Sequence, residues 1–485
     1  MSKRKLILSV LINGVLLSSL YVAGAVDVAP GSGNGVAIGT GSTAPKAENV
    51  AIGKGATIEY SGGVGQPSTG DIVIGGKAHI NNYIDQGGGI AIGANSFVEN
   101  MVGGMERAFD FNQAGYKNLF GIPFGLPKNP EKMVTGMAIG QNTYARSGSI
   151  MLGTHNYKGK LGDVDVDSSN TKNNNGHLFS TTIGANSYSN GLFSSIVGAY
   201  SIASSGYPTT TADATKNFGA TITGSLNSIE SASASSQYSG VANSIVGTAN
   251  RTFNSNGSLV FGAGNEITNS VTRISAPSSG GNSAKELAET LRSAVKNSNG
   301  GGSTMAFGSG NKADYTLRSA LMGVNNTLTG SQGKESENTM LTGFHNTADK
   351  VSNTTVIGSE NTVTNSKNSL VMGDNREVKD ANHAVLIGST DSKTTTSVNN
   401  AVAVGHNTNV TVEGGVALGS ESKATVAAGS VGYDPSTKAQ STNTDSTWKA
   451  TKSAVSVGDA NNNITRQITS VAAGTKDTDA VNVAQ

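Results

Sequence analysis

The chain of 485 residues contains no cysteine, and only 14% of its residues are charged. Without cysteine the chain can form neither a disulfide nor a thiolate metal site, so hydrogen bonding and association must stabilise it. The charged fraction is well below the roughly 25% of a typical soluble domain, and the formal net charge is +1. A chain this close to neutral has no long-range field that would favour nucleic acid or an anionic membrane as a partner.

Long hydrophobic runs are also scarce, and the one at the N-terminus is typical of a targeting segment. A basic segment over residues 3–5 precedes an apolar stretch over residues 6–20, and small residues follow at 23–25. The stretch is shorter than the ~20 residues that span a bilayer, which favours a signal peptide over residues 1–25 rather than a membrane anchor. We therefore expect an exported protein whose mature chain begins near Val26.

What the chain has in abundance is glycine, and many of its glycines close one short motif. About twenty copies of an alternating apolar strand that ends in glycine run from residue 35 to residue 458, among them GVAIG at 35–39, GIAIG at 89–93 and GVALG at 415–419. Gly343, Gly358, Gly373 and Gly388 follow one another at intervals of 15 residues. A repeat this short and this persistent is typical of an elongated array rather than of an enzyme.

The repeat predicts a coil with two strands. In VAIG at 36–39 the side chains alternate, so Val36 and Ile38 share one face and Ala37 takes the other. Asparagine recurs in the turn after the glycine, and both residue types tolerate the positive φ of a tight corner. A coil of 14–15 residues fits two strands of ~17 Å with two turns. Such a coil is flat, so one sheet must bury its apolar face against a partner, which predicts an oligomer whose folding and association are linked.

This pattern resembles the head repeats of the trimeric autotransporter adhesins, the YadA-like surface proteins of Gram-negative bacteria. The C-terminal segments SAVSVG at 453–458, RQITSVAAGT at 466–475 and DTDAVNVAQ at 477–485 resemble the neck that joins such a head to its stalk. The resemblance implies an all-β fold, a left-handed parallel β-roll solenoid, which forms a homotrimer with the apolar strands toward the shared axis. It divides the chain into a head over residues 26–450 and a neck over 451–485.

The resemblance also implies a function and a location. Family members are held at the outer membrane and bind host cell-surface receptors or matrix proteins such as collagen or fibronectin, and a carcinoembryonic-antigen-type adhesion molecule is one candidate receptor. They end in a stalk and a membrane anchor, whereas this chain stops at Gln485. We therefore expect the sequence to be truncated, the alternative being a product that has lost its anchor.

Function on a solenoid is usually found where the repeat is interrupted. Three insertions are expected, near residues 94–135, 154–179 and 263–303. The first is rich in aromatic residues, and we name as candidate receptor-binding residues Phe109, Phe111, Tyr116, Phe120 and Phe124. Aromatic side chains dominate interface hot spots, but they could instead form a satellite core on the chain's own trimer, because exposed phenylalanines are a liability.

The other insertions predict structure rather than chemistry. In the third, Ser283 and Glu286 form a capping box, and Leu287, Leu291 and Val295 follow at helical spacing, so we predict a helix that docks on its own scaffold. In the second, the alternating aspartates of the run at 163–167 could ligate calcium. They lack the glycine and closing glutamate of an EF-hand loop, which favours a solvated loop.

The sequence indicates no catalytic site, no metal site and no cofactor. His155, His345 and His406 precede asparagine in turns after repeat glycines, so we interpret them as corner residues.

Three functions are compatible with these features to different degrees. The first is a non-enzymatic adhesin head that binds a host protein, and the second is a structural head whose self-association mediates autoagglutination or biofilm contact. The third, a β-helical glycan-cleaving enzyme, would need two facing carboxylates, which the low acid content disfavours.

Overall fold

The structure is a computed structural model that describes residues 29–61, 70–82, 88–100, 135–156, 179–189, 191–205, 216–231, 239–278 and 284–484. The predicted signal peptide lies outside these residues. Within them the chain is nearly all β, as the sequence predicts.

The repeat strands form one long parallel sheet of 20 strands. Each strand pairs in parallel with the next repeat strand along the chain, and the closing glycines come into register where the ladder includes them, as Gly343 does with Gly358. The strands of this long sheet are Val36–Ile38, Val50–Ile52, Ile72–Ile74, Ile90–Ile92, Met137–Ile139, Ile150–Leu152, Thr181–Ile183, Ser195–Val197, Thr221–Thr223, Ser244–Thr248, Leu259–Ala263, Met305–Ser309, Ala320–Val324, Met340–Phe344, Thr355–Ser359, Leu370–Met372, Val385–Ile387, Val402–Val404, Val416–Leu418 and Val455–Ser456.

The second strands of the coils stack into a second layer, which is built of parallel sheets of 4, 11 and 2 strands. The sheet of 4 comprises Thr57–Tyr60, His79–Asn82, Phe97–Asn100 and Tyr144–Arg146. The sheet of 11 comprises Tyr188–Ser189, Ile202–Ser205, Ser228–Ser231, Arg251–Phe253, Glu266–Thr268, Lys312–Asp314, Thr327–Thr329, Thr347–Asp349, Thr362–Thr364, Arg376–Lys379 and Thr394–Thr396. The pair is Asn409–Val410 with Lys423–Ala424.

The core between the two layers is narrow, because most strands contribute a single inward side chain. In the long sheet this is the small middle residue of the motif, such as Ala51 or Ala91, and in the second layer it is a residue such as Ile58 or Ile80, all four of them essentially inaccessible to solvent. The bulky residues on either side of the middle position point outward. The sequence therefore predicted the alternation correctly, and the structure shows which face lies inside: the small one.

Several coils between residues 316 and 368 also have a third, short side that the two-sided prediction missed. Between the second strand and the next repeat strand, Glu337, Ser352 and Lys367 pair through isolated parallel bridges. The chain takes a left-handed conformation at both ends of this side, as at Asn365 and Asn368 with φ of 47° and 55°. The extra side is short, which is why a period of 15 residues still accommodates it.

The asparagines after the repeat glycines have two separate roles. Asparagines at the second position after a repeat glycine take the predicted left-handed conformation, with φ between 49° and 56° at Asn95, Asn142, Asn186 and Asn325. Asparagines at the third position after the glycine are buried and form a ladder through the interior, comprising Asn227, Asn250, Asn265, Asn311, Asn326, Asn346 and Asn361. From Asn250 onward, each amide nitrogen donates to the preceding ladder oxygen at 2.9–3.1 Å and to the carbonyl of the next repeat glycine at 2.6–3.0 Å.

The ladder ends at Arg376, which occupies the position that asparagine has in the preceding coils. Its backbone N–H donates to Oδ1 of Asn361 at 3.0 Å, and its guanidinium donates to the carbonyls of Gly388 at 2.6 Å, Gly405 at 3.0 Å and Thr408 at 2.5 Å. The side chain is fully buried, and burial lowers the pKa of Arg376 to about 10. The guanidinium therefore stays charged at neutral pH, and carbonyl dipoles from two coils solvate it.

Two further strand pairs, a helix and a 3-10 turn lie outside the two layers. Thr316–Leu317 pairs in parallel with Ser336–Glu337, and Tyr433–Asp434 pairs in antiparallel with Ala439–Gln440. The predicted helix is present as α1, Ala284–Asn297, and a 3-10 turn spans Ala460–Asn462. None of the helices in the described part of the chain is long and apolar enough to cross a membrane.

Candidate interaction surfaces

The five candidate receptor-binding residues, Phe109, Phe111, Tyr116, Phe120 and Phe124, lie outside the described residues, and so does the aspartate run at 163–167. The structure does show how the first insertion joins the roll. The backbone N–H of Gly136 donates to Oδ1 of Asn100 at 2.8 Å, so the two residues that flank the insertion lie next to each other. Ile90–Ile92 pairs directly with Met137–Ile139, and the long sheet continues past the insertion without a gap.

The second layer next to this insertion carries an unusual group of outward-facing side chains. Tyr144 donates its hydroxyl hydrogen to Glu99 Oε2 at 2.5 Å, and both side chains are buried although they do not point into the roll. Phe97 lies with its ring 5.5 Å from that of Tyr144 and 5.0 Å from that of His79. The outer face of the second layer therefore carries aromatic rings and buried polar side chains here, whereas in most later coils it carries threonine and charged residues.

A second buried polar group lies inside the same coils. Asp71 accepts hydrogen bonds from the Tyr60 hydroxyl at 2.7 Å, the Asn82 amide at 2.9 Å and the Gly89 N–H at 2.9 Å. Burial outweighs these bonds and raises the pKa of Asp71 above its ordinary value. All three donors belong to neighbouring turns, so the carboxylate joins successive coils and does not face solvent.

The helix of the third insertion docks on its own scaffold, as predicted. Leu287 is buried in a cluster with Phe218 and Ile274, and Leu291 and Val295 pack against the same cluster. Ser283, the predicted cap, lies outside the described residues. The long sheet passes this insertion as well, because Leu259–Ala263 pairs directly with Met305–Ser309.

The most extensive exposed apolar surface is the outer face of the long sheet, which we call the outer stripe. Its members are outward-facing residues of the repeat strands that remain exposed in the single chain, namely Val36, Ile72, Ile74, Ile150, Ile183, Val197, Phe261, Met322, Ile387, Val404, Leu418 and Val455. Contiguous apolar patches of this kind are rare on monomeric proteins and mark interaction sites. The sequence had predicted an apolar sheet face that needs a partner, and the stripe has the required position.

Titratable side chains on the corners form pairs rather than clusters. His345 Nδ1 lies 2.9 Å from both carboxylate oxygens of Glu360, and His406 Nε2 lies 3.0 Å from Oδ1 of Asp391, in both cases at exposed positions. The Asn407 amide, followed by His406, lowers the pKa of Asp391. His155 and His345 have φ of 54°, as expected for corner residues. The described residues contain no group of three or more side chains that could hold a metal ion.

One candidate surface was not predicted from the sequence: a ribbon over residues 426–454, which contains the only tryptophan of the chain. The interval from Gly419 to Gly458 is longer than two repeats, and this length is the sequence signal of the ribbon.

Comparison with known proteins gives a short match. No protein-family model matches the chain. A stretch of 60 residues is 55% identical to the autotransporter adhesin BadA of Bartonella henselae. This stretch is 12% of the chain, and the chain spans 2% of the length of BadA. Over that segment, the protein is similar to a bacterial autotransporter adhesin.

Proposed function

We propose that this chain is the non-enzymatic head of a trimeric bacterial surface adhesin that binds a host cell-surface receptor or an extracellular-matrix protein. The proposal includes export and display at the outer membrane of a Gram-negative bacterium. The similarity to an autotransporter adhesin supports a surface adhesin role, and a solenoid whose described insertion docks on its own scaffold is consistent with a rigid, projecting body.

The observation that carries the proposal is the outer stripe. Its 20 strands, spaced ~4.8 Å apart, make a face roughly 90 Å long. Covering such a face with further copies of the chain removes the exposed aliphatic side chains from water, which is the dominant favourable term in association. A homotrimer in which the three stripes face one axis covers all three at once and leaves the second layers outward.

The first insertion is the proposed receptor site. It leaves the roll after Asn100, the last residue of a second-layer strand, and returns at Gly136, directly before the long-sheet strand Met137–Ile139. A trimer would carry three copies of this insertion, each with Phe109, Phe111, Tyr116, Phe120 and Phe124. Three equal sites raise avidity even where each single contact is weak.

The test uses residues 26–485 and a variant in which residues 101–134 are deleted and Asn100 is joined to Thr135. Mass is measured by light scattering, and binding is measured against collagen, fibronectin and the ectodomain of a carcinoembryonic-antigen-type receptor. Deletion of the second insertion, residues 157–178, is the matched control, because it also removes a loop between paired strands of the long sheet.

We expect a trimer that binds one of these ligands, that loses binding on deletion of 101–134 and that retains it on deletion of 157–178. Binding that survives both deletions contradicts the proposed site and moves it to the roll. A trimer that binds only other trimers favours autoagglutination, and a monomer contradicts the proposed assembly.

A further inference from the structure

The last coil carries a long β-ribbon, which we call the arm, over residues 426–454. Its two strands run antiparallel: the N–H of Gly432 donates to the carbonyl of Trp448 at 2.7 Å, and that of Gly429 to the carbonyl of Ala450 at 2.7 Å. Tyr433–Asp434 pairs with Ala439–Gln440 at the far end. The Asp434 carboxylate accepts from the Ser436 N–H and hydroxyl, which closes the turn. The arm is thus hydrogen-bonded near its root and at its turn, while residues 442–447 between these parts belong to no strand.

Hydrogen bonds tie the arm to its own roll at the root, where the Ser453 hydroxyl donates to the carbonyl of Glu413 at 2.6 Å. None of residues 426–454 is buried, and Tyr433 is 63% exposed. No residue of the arm belongs to a core cluster of the described chain. A two-stranded ribbon alone is marginally stable at best in water, and it becomes stable when it packs on further structure. The ribbon therefore needs a covering surface from outside its own subunit.

The root of the arm lies at the outer stripe. The chain leaves after Ala424, and the arm returns directly into Val455–Ser456, the last strand of the long sheet. The N–H of Ala454 donates to the carbonyl of Val426 at 3.0 Å, and the N–H of Val416 donates to the carbonyl of Ala454 at 3.2 Å. Val426 and Val455 at the root are 49% and 61% exposed. The root of the arm is therefore hydrogen-bonded to the long sheet, and the exposed Val426 lies at the same end of the roll as Val455 of the outer stripe.

The arm also carries the residue types that anchor interfaces. Trp448 is half-buried, and one edge of its indole ring lies against Gly432 of the opposite strand of the ribbon. A Cβ added to Gly432 would lie 3.7 Å from that edge. Tryptophan and tyrosine are enriched among interface hot spots. Trp448 and Tyr433 are the large aromatic groups of an element that otherwise consists mostly of small and polar residues.

We propose that the arm of each subunit lies against a neighbouring copy of the chain and holds the assembly together at the C-terminal end of the roll. This rests on the proposed homotrimer. A second copy fits better than a host ligand, because the root of the arm lies at the outer stripe that the assembly covers and because a ligand that is absent most of the time cannot support a marginal ribbon.

Trp448 is the only tryptophan and the chain has no cysteine, so both a fluorophore and a labelling site can be placed without background. Two chains are co-expressed with different tags, and mixed assemblies are purified. One chain keeps Trp448 and has no cysteine. The other carries Trp448→Phe with Leu418→Cys in the outer stripe, labelled with a nitroxide quencher. The matched control places the label at Thr362→Cys, on the outward face of the second layer. Light scattering on the same samples reports the mass.

We expect the label at Leu418→Cys to quench Trp448 of the other chain and the label at Thr362→Cys to leave it unchanged. A trimer with no quenching from Leu418→Cys overturns the arm contact while the proposed assembly stands. A monomeric mass for the unlabelled native chain overturns the proposed assembly itself. Trp448 emission that shifts only on addition of a host protein overturns the proposal in favour of a ligand site on the arm.

A second set of variants checks what the contact contributes. Tyr433→Ser removes an aromatic anchor, and Thr442→Ala removes an exposed hydroxyl from the same ribbon. We expect Tyr433→Ser trimers to dissociate at least about tenfold faster and Thr442→Ala trimers to dissociate at the native rate. Equal rates for Tyr433→Ser and the native chain contradict the proposal.

Discussion

At the corner that follows a repeat strand of the long sheet, the next coil leaves no space for a Cβ atom, so the corner residue is glycine. At Gly358, with φ of 131°, an added Cβ would lie 1.9 Å from the carbonyl oxygen of Gly373 in the next coil. Gly343 and Gly373 meet the same obstacle one coil away on either side. The closing glycine therefore recurs because successive coils approach each other there more closely than any side chain allows.

A substitution at this corner should be severe, and a matched glycine nearby should tolerate the same change. Gly264, with φ of 64°, has no heavy atom within 4 Å of an added Cβ. We expect Gly358→Ala to lower the free energy of unfolding by about 3 kcal/mol, from backbone strain and overpacking. Gly264→Ala should cost ~1 kcal/mol for the left-handed conformation alone. Urea unfolding at one protein concentration measures both, and equal losses would contradict the steric argument.

Arg376 shows how one side chain can replace several rungs of the asparagine ladder. It fills the ladder position after Asn361, and its guanidinium reaches the carbonyl of Thr408, two coils further along the roll. Three places after Gly405 the ladder position holds Thr408, whose hydroxyl donates to the carbonyl of Gly405, the repeat glycine that precedes it, at 2.9 Å. The long arginine is therefore a structural requirement of the coils that follow it.

The variants Arg376→Ala and Arg376→Asn separate the hydrogen bonds that only arginine can make from the one that asparagine can also make. Arg376→Ala removes a donor from the carbonyls of Gly388, Gly405 and Thr408, although that of Gly405 keeps its bond from the Thr408 hydroxyl. We expect a loss of about 2–3 kcal/mol, at roughly 1 kcal/mol or more for each buried group left unpaired. Arg376→Asn can still donate to Gly388 as the earlier ladder residues do, so it should lose less. Hydrogen exchange should show the added opening between residues 385 and 410. An alanine variant as stable as the asparagine variant would contradict this account.

Among the elements, the helix α1 is the one whose docking the sequence predicted in detail. Leu287 is 8% exposed and packs in the cluster with Phe218 and Ile274. The opposite face carries the exposed ion pair between Lys285 and Glu289, at 3.9 Å. The helix is therefore held by its buried stripe, and its charged face contributes little.

Leu287→Ala should release the helix without disturbing the coils. We expect a loss of about 3 kcal/mol in local stability, the usual cost of deleting a buried leucine side chain, seen as faster hydrogen exchange over residues 284–297. Glu289→Ala removes only an exposed ion pair, worth well under ~1 kcal/mol, and serves as the control. Equal exchange in the two variants would show that the helix is not held by Leu287.

The sequence allowed the coils to be predicted, because alternation and glycine spacing depend only on local geometry. It did not separate the two kinds of asparagine, since Asn325 and Asn326 are adjacent and of one type, yet one forms a corner and the other a buried ladder rung. It also gave no sign of the third side, whose residues, such as Ser352 and Lys367, carry no apolar pattern. The arm was missed because its pairing is antiparallel and lies outside the repeat.

At the scale of the whole molecule, the roll has little core of its own. One inward residue per strand, such as Ala403 in the strand Val402–Val404, fills the space between the layers, while Val404 on the same strand points outward into the outer stripe. Association that covers the stripe would therefore supply much of the stability of the assembled protein.

A charge in the stripe tests this dependence. In the proposed trimer, Val404→Glu brings three carboxylates into an apolar interface, at a cost of several kcal/mol. We expect the fraction of trimer and the midpoint of thermal unfolding to fall together, because Ala403 and its core neighbours cannot replace what the stripe provides. Thr364→Glu, at an outward position of the second layer, should change neither. Light scattering and circular dichroism on both variants give the answer: a Val404→Glu protein that remains trimeric and melts at the native temperature would mean that the stripe is not the subunit interface.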